Sequence, residues 1–491
     1  MMRGIEYSAA MALVVLAACS GESNEGSGGA TVTPTGVGGG TGGTGGTTST
    51  GGAGGAGGGG GSLPIPTDCS AVSCYFVRSD ASGTADGSDW TDAFLELPDD
   101  LERGAVYLVA DGDYPDYTFD DEVDGDQLIS VKKATDHDHG TEDGWEPGFG
   151  DGVADHGAIE FRRSFYLFDG QLGGGRGNYR SGHGFRIHRP DGGMGITVGA
   201  PFGTEQERLR DRSDITVQHV EVYGSSPALP CRNAGGGGVA IAGGTNGHQN
   251  LTFSNLWLHD LAIGMHGSFA QHIVLEDSCI ERNASTSECH SEGWAAWGPS
   301  EHVIIRNNLF SDIEGTAVIA LGRADYWDVY HNIFTCTAGH PNSCGVGNGI
   351  IGTTDHPDEQ ANYWSVHHNV FVNLANSTLD LVSSASGIAE GNVAYNNLWL
   401  SNDNGPGFGG VEHDYNWFFD NEGGADDDAL VAAESHGELG TADPFVDWQN
   451  DDYHLTAPTE AGFTLPAPFD TDPDGTPRGT DGTWDRGIYE H

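Results

Sequence analysis

The densest run of chemistry-bearing side chains is Cys289-His290-Ser291-Glu292-Gly293. Similar apolar segments end at Gly243, Gly267, Gly298 and Gly322. Aligning the chain on these glycines puts His259, His290 and Glu314 in one column, with Glu292 and Thr316 two places on. His266 and Trp297 share the position before the glycine. Arg323 and Asp325 leave the next turn, and Arg282 precedes His290. A histidine, carboxylates, arginines and a tryptophan so placed could perform acid–base work on a sugar and stack its ring. His290, Glu292, Arg323 and Arg282 are the candidate catalytic groups, and His266, Trp297, Asp260 and Glu314 the candidate substrate contacts. Glu292 with Asp260 or Glu314 would serve an inverting hydrolase if the carboxyls stand ~6.5–9.5 Å apart. The plainer reading of Cys289–Gly293 is a stapled loop with surface polar groups. Metal binding by His290 and Glu292 would require both on one side of a strand.

Asp470-Thr-Asp-Pro-Asp-Gly475, with Asp481 beyond, sets carboxylates at alternate positions as a calcium loop does, so Ca2+ is the one cofactor suggested. Pro477 and the lack of flanking helices weigh against it. Asp136-His-Asp-His139 and Asp426-Asp-Asp428 read as solvated turns. Close spacing suggests disulfides Cys69–Cys74, Cys279–Cys289 and Cys336–Cys344, each stapling a loop, with Cys231 left over; a pairing of Cys231 with one of these stays open. A disulfide at Cys289 would remove its thiolate as a nucleophile.

The elements that must position these residues are repeats. Ile215–Val222, Leu251–Leu258, Ile273–Ile280, Val303–Phe310, Trp327–Phe334, Trp364–Phe371 and a looser copy at Asn392–Trp399 line up. Each alternates apolar and polar residues with the period of a strand. One column holds His219, Asn255, Asp277, Asn307, His331, His368 and Asn396. A polar residue there, once per turn, suits a tight bend whose side chains bond exposed backbone groups. These residues therefore read as a structural ladder and not as catalysts. A third strand follows in each turn, as in Gly238–Gly243, Ala262–Gly267, Gly293–Gly298 and Ala317–Gly322. Three short stacked strands per turn make a parallel β-helix. A propeller would need four antiparallel strands per repeat, and leucine-rich repeats a shorter fixed period.

Over most of residues 75–491 the chain resembles the right-handed parallel β-helix proteins of the pectate-lyase-like superfamily. The opening segment Val77–Trp90 with Gly104–Tyr114 is similar to that superfamily's first cap and strand. The closing segments Ala442–Asp447, Asp472–Arg478 and Asp485–Glu490 resemble its common ending. The resemblance implies an all-β solenoid, a substrate cleft along the third-strand face, and a polysaccharide partner. It further implies a polysaccharide lyase acting on a uronic-acid-containing glycan, with Arg323, Arg282 and His290 as base and charge neutraliser. No single lyase family's complete motif is present. The competing readings are a non-catalytic glycan-binding or adhesin-like surface protein and a glycoside hydrolase using paired carboxylates.

Arg3, the apolar run Met11–Ala18 and Cys19 read as a secretory signal too short to span a bilayer. Leu16-Ala17-Ala18-Cys19 resembles the bacterial lipobox, which implies lipidation at Cys19. The expected organisation is a signal peptide over 1–18, a lipid anchor and low-complexity linker over 19–66, and the β-helix domain with its C-terminal cap over 67–491. Residues 20–62 are almost only Gly, Thr and Ser, a composition that stays coil and reaches roughly 35 Å. An exported monomer, lipid-anchored at the outer membrane or cell surface, is the expectation, with the lipid as its only membrane contact. The net charge of −52 argues against nucleic acid as a partner. Between Arg162 and Arg212, however, nine arginines stand against five acids. That segment is either an anion-binding patch or a solvated face of internal ion pairs.

Overall fold

The chain falls into two units, Met1–Ser62 and Leu63–His491. The computed structural model describes residues 69–190, 193–224, 237–284, 291–337, 351–353, 360–381, 390–423 and 426–491, all in the second.

One coil shows how the sequence builds the rest. His248–Ser254 is a strand whose Leu251 and Phe253 point inward. Asn255 then adopts φ +52°, the chain turns, and Trp257–His259 begins a second strand with Leu258 inward. A further corner leads to Ile263–His266, with Met265 inward, and the chain re-enters directly beside its start as Ala270–Glu276. Parallel pairing aligns Leu251 with Ile273, Leu258 with Ile280 and Met265 with Trp294. Repetition gives three parallel sheets of thirteen, twelve and ten strands among the described residues, here called the first, second and third. The molecule is thus a right-handed parallel β-helix with three short strands per turn, as the alternation and repeats predict for the strands and the family resemblance implies for the hand.

The bend column does what its residue types suggest, with one difference. His219, Asn255, Asp277, Asn307, His331, His368 and Asn396 all have φ between 50° and 57°. Asn, Asp and His tolerate this left-handed region better than other side chains. The continuous ladder, however, is made by the residue after the bend. That residue points into the solenoid, where an unpaired amide would be costly. The Oδ1 of Asn332 accepts from the Asn308 amide at 3.0 Å, that of Asn369 from Asn332 at 2.9 Å, and that of Asn397 from Asn369 at 3.0 Å. Asn416 and Glu434 continue the run.

Inward columns are filled by stacked rings. Phe310, Phe334, Phe371, Trp399 and Phe418 stand 4.7–5.5 Å apart in successive coils. Each is buried, and truncating one to Ala would cost roughly 3–5 kcal/mol. The Cys69–Cys74 disulfide closes the N-terminal cap as expected. The Cys279–Cys289 expectation is corrected: Cys279 is a free buried thiol. It faces outward from the second sheet and packs with Tyr179, Leu309 and Ile333, so close sequence spacing does not aim it at Cys289. Cys336 is disulfide-bonded to a cysteine outside the described residues; Cys231, Cys289 and Cys344 lie outside them too. Asp426 caps the helix Asp427–Ala433, so that acidic run is a helix start and not a solvated turn. In the suggested calcium loop, Asp472 accepts the amides of Asp474, Thr476 and Glu490, while Asp474 meets Arg176 and His454. Among the described residues no cluster of three or more metal-binding side chains occurs.

Candidate functional site

The structure separates most of the residues that the glycine alignment groups. His290, Cys289 and Cys19 lie outside the described residues, as does the side chain of Trp297, which ends the third-sheet strand Trp294–Trp297. Glu292 is buried just before that strand. Glu314 shares its corner, its amide donating to Asn283 O at 3.0 Å. Arg323 is at the other end, opening the strand Arg323–Tyr330, with its Nε 2.7 Å from Asp325 Oδ2. A four-residue strand separates the two corners by about 13 Å, so Glu292 and Arg323 do not meet. His266 faces outward mid-sheet, half-buried, and burial pushes its pKa down.

Two predicted residues do meet, on the outer edge of the second sheet. Arg282 grips Asp260 with Nε at 2.9 Å and Nη2 at 2.8 Å. Asp260 Oδ2 in turn lies 2.6 Å from His259 Nδ1, whose other nitrogen is 3.1 Å from Glu221 Oε1. Asp260 (φ +54°) and Arg282 (φ +51°) sit at the bends that end successive second-sheet strands, which brings their side chains together. Beneath them Glu281, only 2% exposed, receives Arg180 Nε at 2.7 Å, Trp257 Nε1 at 3.0 Å and the Arg282 guanidinium. Arg180 also reaches Asp451 in the C-terminal segment.

The charges follow from this packing. Burial alone would lower the His259 pKa, but its bonds to Asp260 and Glu221 carry it above the ordinary imidazole value. Burial works against ionisation of Asp260, yet His259 and Arg282 hold its carboxyl well below the usual range. Arg180 and Arg282 likewise overcome burial at Glu281. His259 is buried with both ring nitrogens held by carboxylates, so it can exchange a proton with a ligand only where the Glu221 contact opens.

Aromatic groups extend the site along the helix axis. His188, Tyr223 and His259 are register partners in successive coils, with ring centroids 4.3 and 5.5 Å apart. Trp257 packs on His259 at 3.9 Å. Further along the same face Tyr179, Tyr453 and Tyr489 cover the sheet. His259, Glu221, Glu281 and Tyr223 were not singled out together by the sequence reading. Counting from the bend column, and not from the glycines, would have paired His259 with Glu281, as the sheet does.

The arginine-rich segment resolves mainly into internal pairs. Arg162 meets Glu160, Arg163 Glu122, Arg176 Asp474, Arg180 Glu281, Arg186 Asp155 and Arg189 Asp116. The buried Arg212 donates to the carbonyls of Arg210 and Glu207.

The chain is therefore a right-handed parallel β-helix with an acid–base cluster on its outer surface. No family model matches the sequence and no curated protein matches it. Among solved structures it is similar to pectate lyase Pel9A, with 12% identity, a TM-score of 0.46, and coverage of 85% of this chain and 96% of that one. It is also similar to the alginate lyase from Paenibacillus sp. str. FPU-7, with 11% identity, a TM-score of 0.39 and coverage of 63% and 93%. For XylC in complex with xylose the identity is 9%, the TM-score 0.37 and the coverage 76% and 86%. Likenesses of this degree assign no site.

Proposed function

We propose that the protein is carbohydrate-active and, more finely, a polysaccharide lyase acting on a uronic-acid-containing glycan at the second-sheet cluster. The observation that carries this reading is His259 held between Asp260 and Glu221, with Arg282 alongside and Tyr223 stacked against it. Elimination breaks the C–H bond next to the uronate carboxylate and the glycosidic C–O bond one carbon on, and forms a C=C bond between those carbons. Neutral His259, with Nδ1 held by Asp260, takes the proton at Nε2 as the Glu221 contact opens, and the Tyr223 hydroxyl supplies one to the departing oxygen. The partly exposed Arg282 guanidinium offsets the charge that builds on the carboxylate. Because the His259 pKa is raised, its basic form gains population toward alkaline pH. Tethering at the cell surface through a lipid on Cys19 completes the proposal.

The full-length protein incubated with polyuronates, with and without calcium, should generate the ultraviolet absorbance of unsaturated uronate. His259→Ala and Tyr223→Phe should each abolish most of it. No absorbance across such substrates, and no new reducing ends, would remove the lyase reading in favour of a glycan-binding surface protein. New reducing ends without absorbance would point to hydrolysis. Labelled fatty acid should enter the wild-type chain in cells and not the Cys19→Ala variant.

A further inference from the structure

The loop over 200–212 joins the third-sheet strand Ile196–Gly199 to the first-sheet strand Ser213–Gln218. It carries Phe202, which is 97% exposed, and the partly exposed Leu209. The loop is nonetheless held firmly from below. Gly244 N donates to Arg208 O at 2.7 Å and Thr245 Oγ1 to Leu209 O at 2.6 Å. Asp211 accepts the amides of Thr245 and Asn246 at 2.7 and 3.0 Å. The buried Arg212 binds Glu207 O at 2.8 Å, and Thr204 with Glu207 forms a capping box at the start of the short helix Glu205–Arg208. A loop fixed in this way gives up little freedom on binding, while an exposed phenylalanine gains nothing from folding.

Two arginines on the same loop, Arg208 and Arg210, remain without an ion pair among the described residues, although the other arginines of the 162–212 segment are bound to acids or carbonyls. The helix is about 6 Å long, and Phe202, Arg208 and Arg210 flank or end it within the same fixed loop. The loop also carries Glu205, Glu207 and Asp211, but Glu207 is spent on the Thr204 capping box and Asp211 on the amides of Thr245 and Asn246. Two cations without an ion pair on the same loop as a bare ring are complementary to an apolar face bearing an anion. A uronic acid residue has both: C–H bonds on one face of its ring and a carboxylate at its edge.

We infer that the 200–212 loop is a binding subsite for an acidic sugar residue of a polyuronate chain, with Phe202 against the sugar ring and Arg208 and Arg210 on its carboxylate. The identity of the ligand rests on the polysaccharide reading, whereas the subsite does not depend on the elimination chemistry.

Affinity electrophoresis of the full-length protein through gels containing polygalacturonate or neutral dextran tests this, with flotation on phosphatidylglycerol vesicles as a third arm. Polygalacturonate should retard the wild type and dextran should not. Phe202→Ala, and Arg208→Gln combined with Arg210→Gln, should each weaken retardation at least tenfold, and only the arginine pair should flatten its salt dependence. Unfolding midpoints equal to wild type would show that these surface changes leave the fold intact. Wild-type retardation of both variants, absence of retardation for the wild type, or binding to vesicles alone would overturn the subsite. His259→Ala should retain retardation. Loss of retardation in the loop variants of a wild type that makes no unsaturated product would uphold the subsite while removing the lyase. Elimination activity with unchanged retardation in the loop variants would do the reverse.

Discussion

Asp260 and His259 are neighbours in the chain that turn toward each other, with Oδ2 and Nδ1 2.6 Å apart. The contact forms because Asp260 occupies a left-handed bend at φ +54°; in a continued strand adjacent side chains would point to opposite faces. Arg282, at the same bend one coil on, then fixes the carboxylate on its other edge.

Removing that carboxylate charge should be felt through the histidine. Asp260→Asn deprives His259 of the strongest support for its proton, so the alkaline rise of activity should move to lower pH. The turnover number should fall by roughly 10²–10³ while KM changes little. Rate profiles for wild type and variant against pH give both quantities, and an unmoved profile would assign Asp260 a structural role only.

Glu281 is buried between Arg180 and Arg282. Glu281→Gln leaves Arg180 with Asp451 and Arg282 with Asp260, and both guanidiniums are more than a third exposed, so the loss should be about 1–2 kcal/mol, below that of a fully buried pair. Urea unfolding should show a midpoint modestly below wild type. A smaller loss for Glu281→Gln in an Arg180→Met background would locate the penalty in the stranded charge.

The ladder and the bend should respond oppositely to substitution. Asn369 accepts from Asn332 and donates to Val329 O and His367 O, all buried. Asn369→Ala should therefore cost on the order of 3 kcal/mol or more. Asn307, at φ +57°, should tolerate Gly within about 1 kcal/mol. Denaturant titration of the two variants side by side checks the contrast.

Acid should destabilise the fold through histidines kept neutral by burial. Burial holds His156 and His367 near pKa 3 and His183 and His248 near 4. Their folded values lie below the unfolded one, so the unfolded chain binds more protons as pH falls below ~6.5. Each contributes a loss of roughly 1.4 kcal/mol per pH unit from there down to its folded pKa. Asp328, raised by burial to about 6, opposes this over a narrower range. The urea midpoint should thus drop steadily between pH 6.5 and 5, and a flat response would contradict the buried neutral state.

Cys279 should behave as a sealed thiol. A thiol-specific reagent should find the same number of groups in native wild type and native Cys279→Ala, and one more in wild type after unfolding. A difference in the native state would mean that the packing of Tyr179 and Leu309 over it is incomplete.

What the sequence determined by itself is the local grammar of the solenoid. Alternation in Leu251–Leu258 and its copies sets which side chains face inward. The Asn, Asp and His residues of one column mark the bends because few other types tolerate a left-handed backbone. Both are properties of a few consecutive residues and survive any change in loop length. The site depended on what such properties do not contain. Alignment on Gly267 and Gly298 pairs His259 with His290, yet hydrogen-bonded register pairs His259 with Glu281. The intervening loop after Asn283 differs in length from its counterpart, and counting across it loses the register. In the same way nine nearby arginines read in the chain as either an anion-binding patch or a face of internal ion pairs, and only packing decides that Arg180 lies against Glu281 while Arg208 and Arg210 remain without an ion pair among the described residues. Charge pairing depends on distance in space, and that is set by how the coils stack.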